Sequence, residues 1–423
     1  MSGYARAASA LGASVSGSDG ARSAYTERLE QDGILTAQIG HRAENVPGGE
    51  DVVLYYSTAV GEGNVERAAA RERGIPELPR AELLAELSAL RRTIAVAGTH
   101  GKTTTSSMLV HAMRGAGMDP GWLIGGSIGG ELPNSSWTDG EWLVVEADES
   151  DRSMLRLTAE VAVLTNVELE HHATYGSLAE LREAFAELLA GARQAVIWNR
   201  PELLALRGGD GVPYDAEDVT LTAGGSRFLW RGHAVRLAVP GVHNAVDAAG
   251  ALEAARLAGA DEAAAAASLS SFTGAGRRFQ RLGLSERGGA VYEDYAHHPT
   301  EIAATLRGAR TLQHDRLVAV FQPHLFSRTA LLAREFGESL ALADEVFVLE
   351  VYPARERSED FPGISGLRIA EAAADAAAGR PVYWLPSFEQ MLPVLRRHLR
   401  EGDVCVVMGA GDVQELAEDL VAR

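Results

Sequence analysis

The stretch TIAVAGTHGKTTTSSMLVHAMRGAG, residues 93–117, constrains this chain more than any other. A run of buried-strand type enters Gly98-Thr99-His100-Gly101-Lys102-Thr103-Thr104-Thr105, and a helical pattern follows. Strand, glycine turn, Lys-Thr and helix together form a phosphate cradle. The glycines let backbone N–H groups point at an anion, and the helix N-terminus favours negative charge. In such a loop Lys102 reaches the β- and γ-phosphates of a nucleotide, and Thr103 ligates Mg²⁺. The standard spacing asks for a glycine where Val96 stands. A glycine turn can also open an ordinary helix, but the required strand and helix flank this one.

Strand-like and helical stretches alternate through most of the chain, which predicts α/β architecture with mostly parallel sheets. Helices are expected over 2–11, 64–73, 80–90, 244–258 and 261–270. Strands are expected over 13–18, 51–57, 93–98, 142–146, 161–165, 195–198, 290–295, 316–321, 344–350 and 403–408. Residues 208–240, rich in Gly, Pro and Asp, read as an irregular or hairpin excursion. Breaks at Arg91-Arg92 and at SFTGAG (271–276) divide the chain into three units, 1–91, 92–272 and 273–423.

Composition excludes several classes. The 423 residues carry 39 basic and 58 acidic side chains, a formal charge of −19, and only one of the basic ones is a lysine, Lys102. That balance disfavours nucleic acid as a partner, because such affinity comes largely from Lys and Arg neutralising phosphates. A small anion in a locally positive pocket remains compatible with it. No apolar run approaches the roughly 20 residues of a membrane helix. No secretory signal pattern opens the chain. The single cysteine, Cys405, suits a reducing, cytoplasmic setting.

Two further segments carry chemistry. WLVVEADESD closes an apolar run on Glu146, with Asp148, Glu149 and Asp151 behind it, an acidic run that suits metal-assisted phosphoryl transfer. VAVLT leads into Asn166 and the Glu168–His172 segment, where His171 and His172 beside two glutamates could hold a metal at the same sheet edge. Taken alone, His297-His298-Pro299 reads as a strand-to-helix turn with proline at the first helical position.

With these motifs in place the sequence resembles the ATP-dependent Mur ligases of peptidoglycan synthesis, and most closely their alanine-adding branch. GTHGKTTTSSM, EADESD, TNVELEHHATYGS, PGVHNAVDAAGAL, FTGAGRRFQRLG, DYAHHPTEI, FQPHLFSRT, EVYPARE with PGISG, and MGAGDV run in family order from 98 to 413. SGSD at 16–19 and STA at 57–59 extend the match forward. The resemblance implies a truncated N-terminal Rossmann-like domain for a UDP-sugar, a central ATPase-type domain, and a C-terminal Rossmann-like domain closing over the site. It implies that ATP phosphorylates the lactyl carboxylate of UDP-N-acetylmuramate and that the amine of L-alanine attacks the acyl phosphate.

Carried over by position, the resemblance assigns Gly98, Thr99, His100, Gly101, Lys102, Thr103 and Thr104 to the triphosphate, Asn244 to adenine and Asp294 to the ribose. Thr103 and Glu146 hold one Mg²⁺ and His171 a second metal. Arg277, Arg278, Tyr295, His297, His298, His324 and Arg328 line the closed active site. Lys102, Arg278, His297, His298 and Arg328 are the catalytic candidates, with His297 and His298 the candidate bases because imidazole titrates near neutrality.

The departures are specific. The family opens with a strand and GIGGxGMSG, whereas this chain opens at Met-Ser-Gly, as though Met1 were the internal methionine. Leu325 stands where many members have arginine, Asp247 where a second asparagine is common, and Glu170 where an aspartate precedes the histidine. Two other readings stay open here: a sister ligase that reattaches a recycled tripeptide to the same sugar, and an ATP-binding fragment without turnover. Relatives that add later amino acids use a carbamylated lysine beside the second metal. A chain with no lysine outside its phosphate loop cannot build that site, which favours the alanine-adding branch.

Overall fold

The computed structural model describes residues 1–129, 132–170 and 174–421. The chain forms two compact units, one of residues 1–215 and 246–268, the other of residues 216–245 and 269–423.

The first unit is built on a seven-stranded sheet in the order Val212–Tyr214, Gln194–Trp198, Val161–Leu164, Arg92–Ala97, Trp142–Glu146, Gly121–Leu123, Ser135–Ser136. All neighbours are parallel except the last pair. The strand Arg92–Ala97 therefore lies in the middle, with Ile94 to Ala97 fully buried on both faces. That is why it reads as one unbroken apolar run rather than an alternating one. One face packs on Leu181, Phe185 and Leu189 of the helix Leu178–Gly191.

Residues 1–91 of this unit carry two separate parallel pairs, Ser18–Asp19 with Gln38–Ile39 and Leu54–Tyr56 with Glu77–Pro79. The run 51–57 holds the shorter strand Leu54–Tyr56, whereas the strand expected over 13–18 is not formed there: only Ser18 of it pairs, in the two-residue strand Ser18–Asp19. Helices Ser2–Ala10, Val65–Glu72 and Arg80–Ala89 match the expected ones to within two residues.

The second unit holds a six-stranded sheet in the order Gln280–Leu284, Ala290–Asp294, Asp403–Met408, Arg316–Phe321, Glu345–Val348, Val382–Trp384. Only the first pair is antiparallel. Along Arg316–Phe321, Leu317, Ala319 and Phe321 enter one buried cluster while Val318 and Val320 enter another, so both sheet faces are covered. The excursion at 208–240 resolves mainly into the antiparallel meander Glu217–Thr222, Gly225–Trp230, His233–Leu237. Among the described residues no helix is long and apolar enough to cross a membrane.

Candidate active site residues

In the first unit the strand Arg92–Ala97 delivers its chain into the glycine turn, and the fourteen-residue helix Lys102–Gly115 leaves it. Gly98 has φ +133° and Gly101 φ +83°, conformations that favour glycine. Space demands glycine as well. A Cβ on Gly98 would sit 2.0 Å from Thr165 Oγ1, and one on Gly101 would sit 2.8 Å from Asp247 Oδ1.

The turn is braced from the neighbouring strand end. Asn166 accepts from the His100 N–H at 2.9 Å and donates its amide back to the His100 carbonyl at 2.9 Å. The Thr165 hydroxyl donates to the same carbonyl at 2.6 Å. Thr99 Oγ1 and the Glu168 backbone are held together at 2.9–3.0 Å, and His100 Nε2 lies 3.2 Å from the Glu168 carboxylate. Sequence reasoning sought a metal in this segment and missed the brace. Its signal was a polar Thr-Asn pair ending a buried strand next to the phosphate-loop strand.

Lys102 folds back over its own loop. Its Nζ donates to the Gly98 carbonyl at 2.6 Å, to the Thr99 carbonyl at 3.1 Å and to Glu149 at 2.9 Å. Burial pulls the ammonium pKa down, but Glu149 and Glu146 outweigh burial and raise it, so the lysine is charged. Thr103 donates to both carboxylate oxygens of Glu146, at 2.9 and 3.1 Å, and Glu146 also accepts from the Gly125 N–H at 2.7 Å. A hydroxyl facing a carboxylate at the mouth of a phosphate loop is a hard-oxygen donor set, and it fits Mg²⁺.

The acidic run does not act as one ligand cluster. Of its four carboxylates, Glu146 faces Thr103 and Glu149 faces Lys102, whereas Asp148 and Asp151 turn to Arg80, at 2.7 and 2.8 Å. Burial pushes the Asp148 carboxyl up, but the Ser150 hydrogen bond and the Lys102 and Arg80 charges outweigh it and hold it at about 2. Arg80 escaped the sequence reading, since its partners lie 68 and 71 positions away. His171, expected to hold a metal, lies outside the described residues.

In the second unit the aromatic and basic candidates gather at the C-terminal ends of parallel strands, where ligands collect in open α/β sheets. The His297 ring meets Tyr295 edge-on at 5.3 Å and His324 at 6.0 Å. His324 stacks on Tyr352 at 5.8 Å, and Arg328 Nη1 lies 3.4 Å from His324 Nδ1. Arg277 and Arg278 both lie over the Tyr295 ring, at 4.8 and 5.1 Å. Arg277 also reaches Glu293 at 2.6 Å.

His298 and Pro299 form the expected turn: His298 is the N-cap and Pro299 the first residue of the helix Pro299–Ala309. His298 Nδ1 accepts from the Thr300 N–H at 3.4 Å, while His297 Nδ1 lies 3.0 Å from the Tyr295 carbonyl. Asp294 accepts from the Ala296 and Phe279 N–H groups, both at 2.7 Å. Burial pushes its carboxyl up to about 6, against the pull of Arg278 and those two bonds. Asn244 is buried and donates to the Pro240 carbonyl at 2.6 Å. Leu325 caps the helix Phe326–Leu340 at φ +73°, an unusual angle for a leucine.

Three family models cover most of the chain: "Mur ligase family, catalytic domain" over 1–92, "Mur ligase middle domain" over 96–255, and "Mur ligase, glutamate ligase domain" over 277–411. The UDP-N-acetylmuramate–L-alanine ligase of Rubrobacter xylanophilus is 41% identical over 441 aligned residues, covering 100% of this chain and 97% of that protein.

The chain belongs to the Mur ligase family.

The enzyme of the same name from Chlorobaculum parvum is also 41% identical, covering 96% of this Mur ligase and 90% of the relative. Among solved structures, the UDP-N-acetylmuramate–alanine ligase of Thermotoga maritima matches with a TM-score of 0.84 at 26% identity, covering 99% of this chain and 95% of that one. A murein peptide ligase of Psychrobacter arcticus matches with a TM-score of 0.72 at 25% identity, covering 99% and 95%. The three-domain α/β ligase fold of the family is the fold of this chain.

Proposed function

We propose that this Mur ligase joins L-alanine to the lactyl carboxylate of UDP-N-acetylmuramate at the expense of ATP, in the cytoplasm. The observation that carries the reading is 41% identity across the whole chain to ligases named for that reaction, combined with an intact phosphate loop. The tripeptide-recycling alternative has less behind it, since the murein peptide ligase matches with the lower TM-score, 0.72 against 0.84.

The chemistry asks for two anions, a triphosphate and a carboxylate, to be brought together. The loop N–H groups and Lys102 counter their repulsion at the γ-phosphate. Thr103 and Glu146 would hold Mg²⁺, which supplies further neutralisation of the phosphate oxygens. Asn244 and Asp294 are assigned to the nucleoside.

The second step needs the uncharged amine of L-alanine. With Nδ1 donating to the Tyr295 carbonyl, neutral His297 carries its lone pair on Nε2 and can take the proton. Neutral His298 is the opposite tautomer. Its Nδ1 accepts, so Nε2 carries the proton and donates. Arg278 and Arg328 supply positive charge for the acyl phosphate and the departing phosphate.

Phosphate release from ATP is expected only when UDP-N-acetylmuramate and L-alanine are both present. Release with the tripeptide and none with alanine would transfer the assignment to the recycling reaction. Absence of release with either amine would favour an ATP-binding protein without turnover.

A further inference from the structure

Arg80 opens the helix Arg80–Ala89, directly after the strand Glu77–Pro79. It therefore belongs to the stretch matched by the first family model, yet its side chain is spent on the acidic segment that follows Trp142–Glu146. Nη2 lies 2.7 Å from Asp148 Oδ2 and 2.8 Å from Asp151 Oδ2, and Nε reaches Asp151 at 3.1 Å. One planar guanidinium thus meets both carboxylates through Nη2 and holds Asp151 through Nε as well, a fork that a single ammonium cannot reproduce.

Between those carboxylates sits Glu149, fully buried and paired with Lys102. The segment is tied down at several other points. Asp148 accepts from the Ser150 N–H at 2.9 Å, and Asp151 from the Ser153 N–H at 3.0 Å. The Tyr175 hydroxyl donates to the Glu149 carbonyl at 2.9 Å, and Thr174 Oγ1 to the Ser150 carbonyl at 2.6 Å.

Charge gives this arrangement its purpose. Glu146, Asp148, Glu149 and Asp151 fall within six consecutive residues, beside the loop meant for a triphosphate. A polyanion cannot approach four uncompensated carboxylates without a large repulsion. Lys102 answers Glu149, and Arg80 pairs with both aspartates and offsets one of their two charges.

We propose that Arg80 is a positioning residue for nucleotide binding: by pairing with Asp148 and Asp151 it fixes the segment that presents Glu149 to Lys102 and offsets one of the two aspartate charges in the triphosphate's surroundings. The first 91 residues thereby set the charge of the phosphate site in the next segment. The inference rests on the reading of the loop as the ATP site, and equilibrium binding tests it without requiring turnover.

The test is calorimetric binding of MgATP to the full chain and its variants, with folding followed by circular dichroism. Arg80→Met is expected to weaken binding about tenfold, the scale of one added net negative charge near a phosphate group. Adding Asp148→Asn and Asp151→Asn to Arg80→Met removes the exposed charges and is expected to recover the affinity to within about threefold of the parent. A purely structural arginine, or one touching ATP itself, would show no such recovery.

Persistent weak binding in the triple variant therefore overturns the inference, as does parent-like affinity in Arg80→Met. Failure of the parent chain to bind MgATP would overturn the nucleotide reading and this inference with it. Should Arg80→Met not fold, Arg80→Lys carries the test, since it keeps one charge but loses the second, Nε contact to Asp151. About threefold weaker binding, restored by Asp151→Asn, is then expected. Parent-like affinity in Arg80→Lys would overturn the proposal.

Discussion

Lys102→Arg is expected to lower ATP-dependent phosphate release by about a thousandfold or more while leaving the chain folded. The lysine Nζ sits among three acceptors, the Gly98 and Thr99 carbonyls and Glu149, at 2.6, 3.1 and 2.9 Å. That space suits a compact ammonium. A guanidinium is planar and forked, so it cannot keep those contacts and still present a point charge to a γ-phosphate within the same glycine turn. Composition sharpens the test, because a chain that uses arginine for every other basic position keeps lysine at this one. Steady-state phosphate release beside a thermal melt separates loss of chemistry from loss of fold. Turnover within a few fold of the parent would remove Lys102 from the mechanism.

Gly98→Ala carries the second large expectation, and here stability and binding fall together. The added Cβ would meet Thr165 Oγ1 at 2.0 Å and the backbone N and O of Asn166 at 3.0 Å, at a φ of +133°. Backbone atoms just beyond the end of a central strand, held by their own hydrogen bonds, cannot step aside as the end of a flexible side chain can. Strain and overpacking together are expected to cost about 3 kcal/mol or more. For a unit of this size that is a fall of about 6–12 °C in the melting midpoint. MgATP binding should be lost as well, because the Thr165 and Asn166 brace fixes the His100 backbone. Gly101→Ala is the milder companion, since its nearest neighbour is the Asp247 side chain, which can move. An unchanged melt for Gly98→Ala would mean the turn is looser than its contacts indicate.

Legibility in the sequence followed burial. Trp142–Glu146, Arg316–Phe321 and Asp403–Met408 have the limits expected of them, because strands covered on both faces are continuous apolar runs. The phosphate loop was legible for a related reason: its chemistry depends on neighbours in sequence. Short strands such as Gly121–Leu123, Gln280–Leu284 and Val382–Trp384 left no pattern, being three to five residues long and, for two of them, at a sheet edge. What stayed hidden at the site were pairings over distance. Nothing local to Arg80 announces Asp148 and Asp151, and nothing local to Asn166 announces the His100 backbone. The division of the four acidic residues between a threonine, a lysine and an arginine depends on where three separate chain segments meet.

The sheet order of the first unit also sets a timetable for solvent entry. Arg92–Ala97 has a partner strand on each side within seven, whereas Ser18–Asp19 and Gln38–Ile39 hold each other through two residues apiece. Amide protons of residues 93–97 should therefore exchange with deuterium only when the whole unit opens, and those of the two small pairs much sooner, through local fraying. A protease or an exchanging solvent would reach these small strand pairs while the strand that carries the phosphate loop stayed closed.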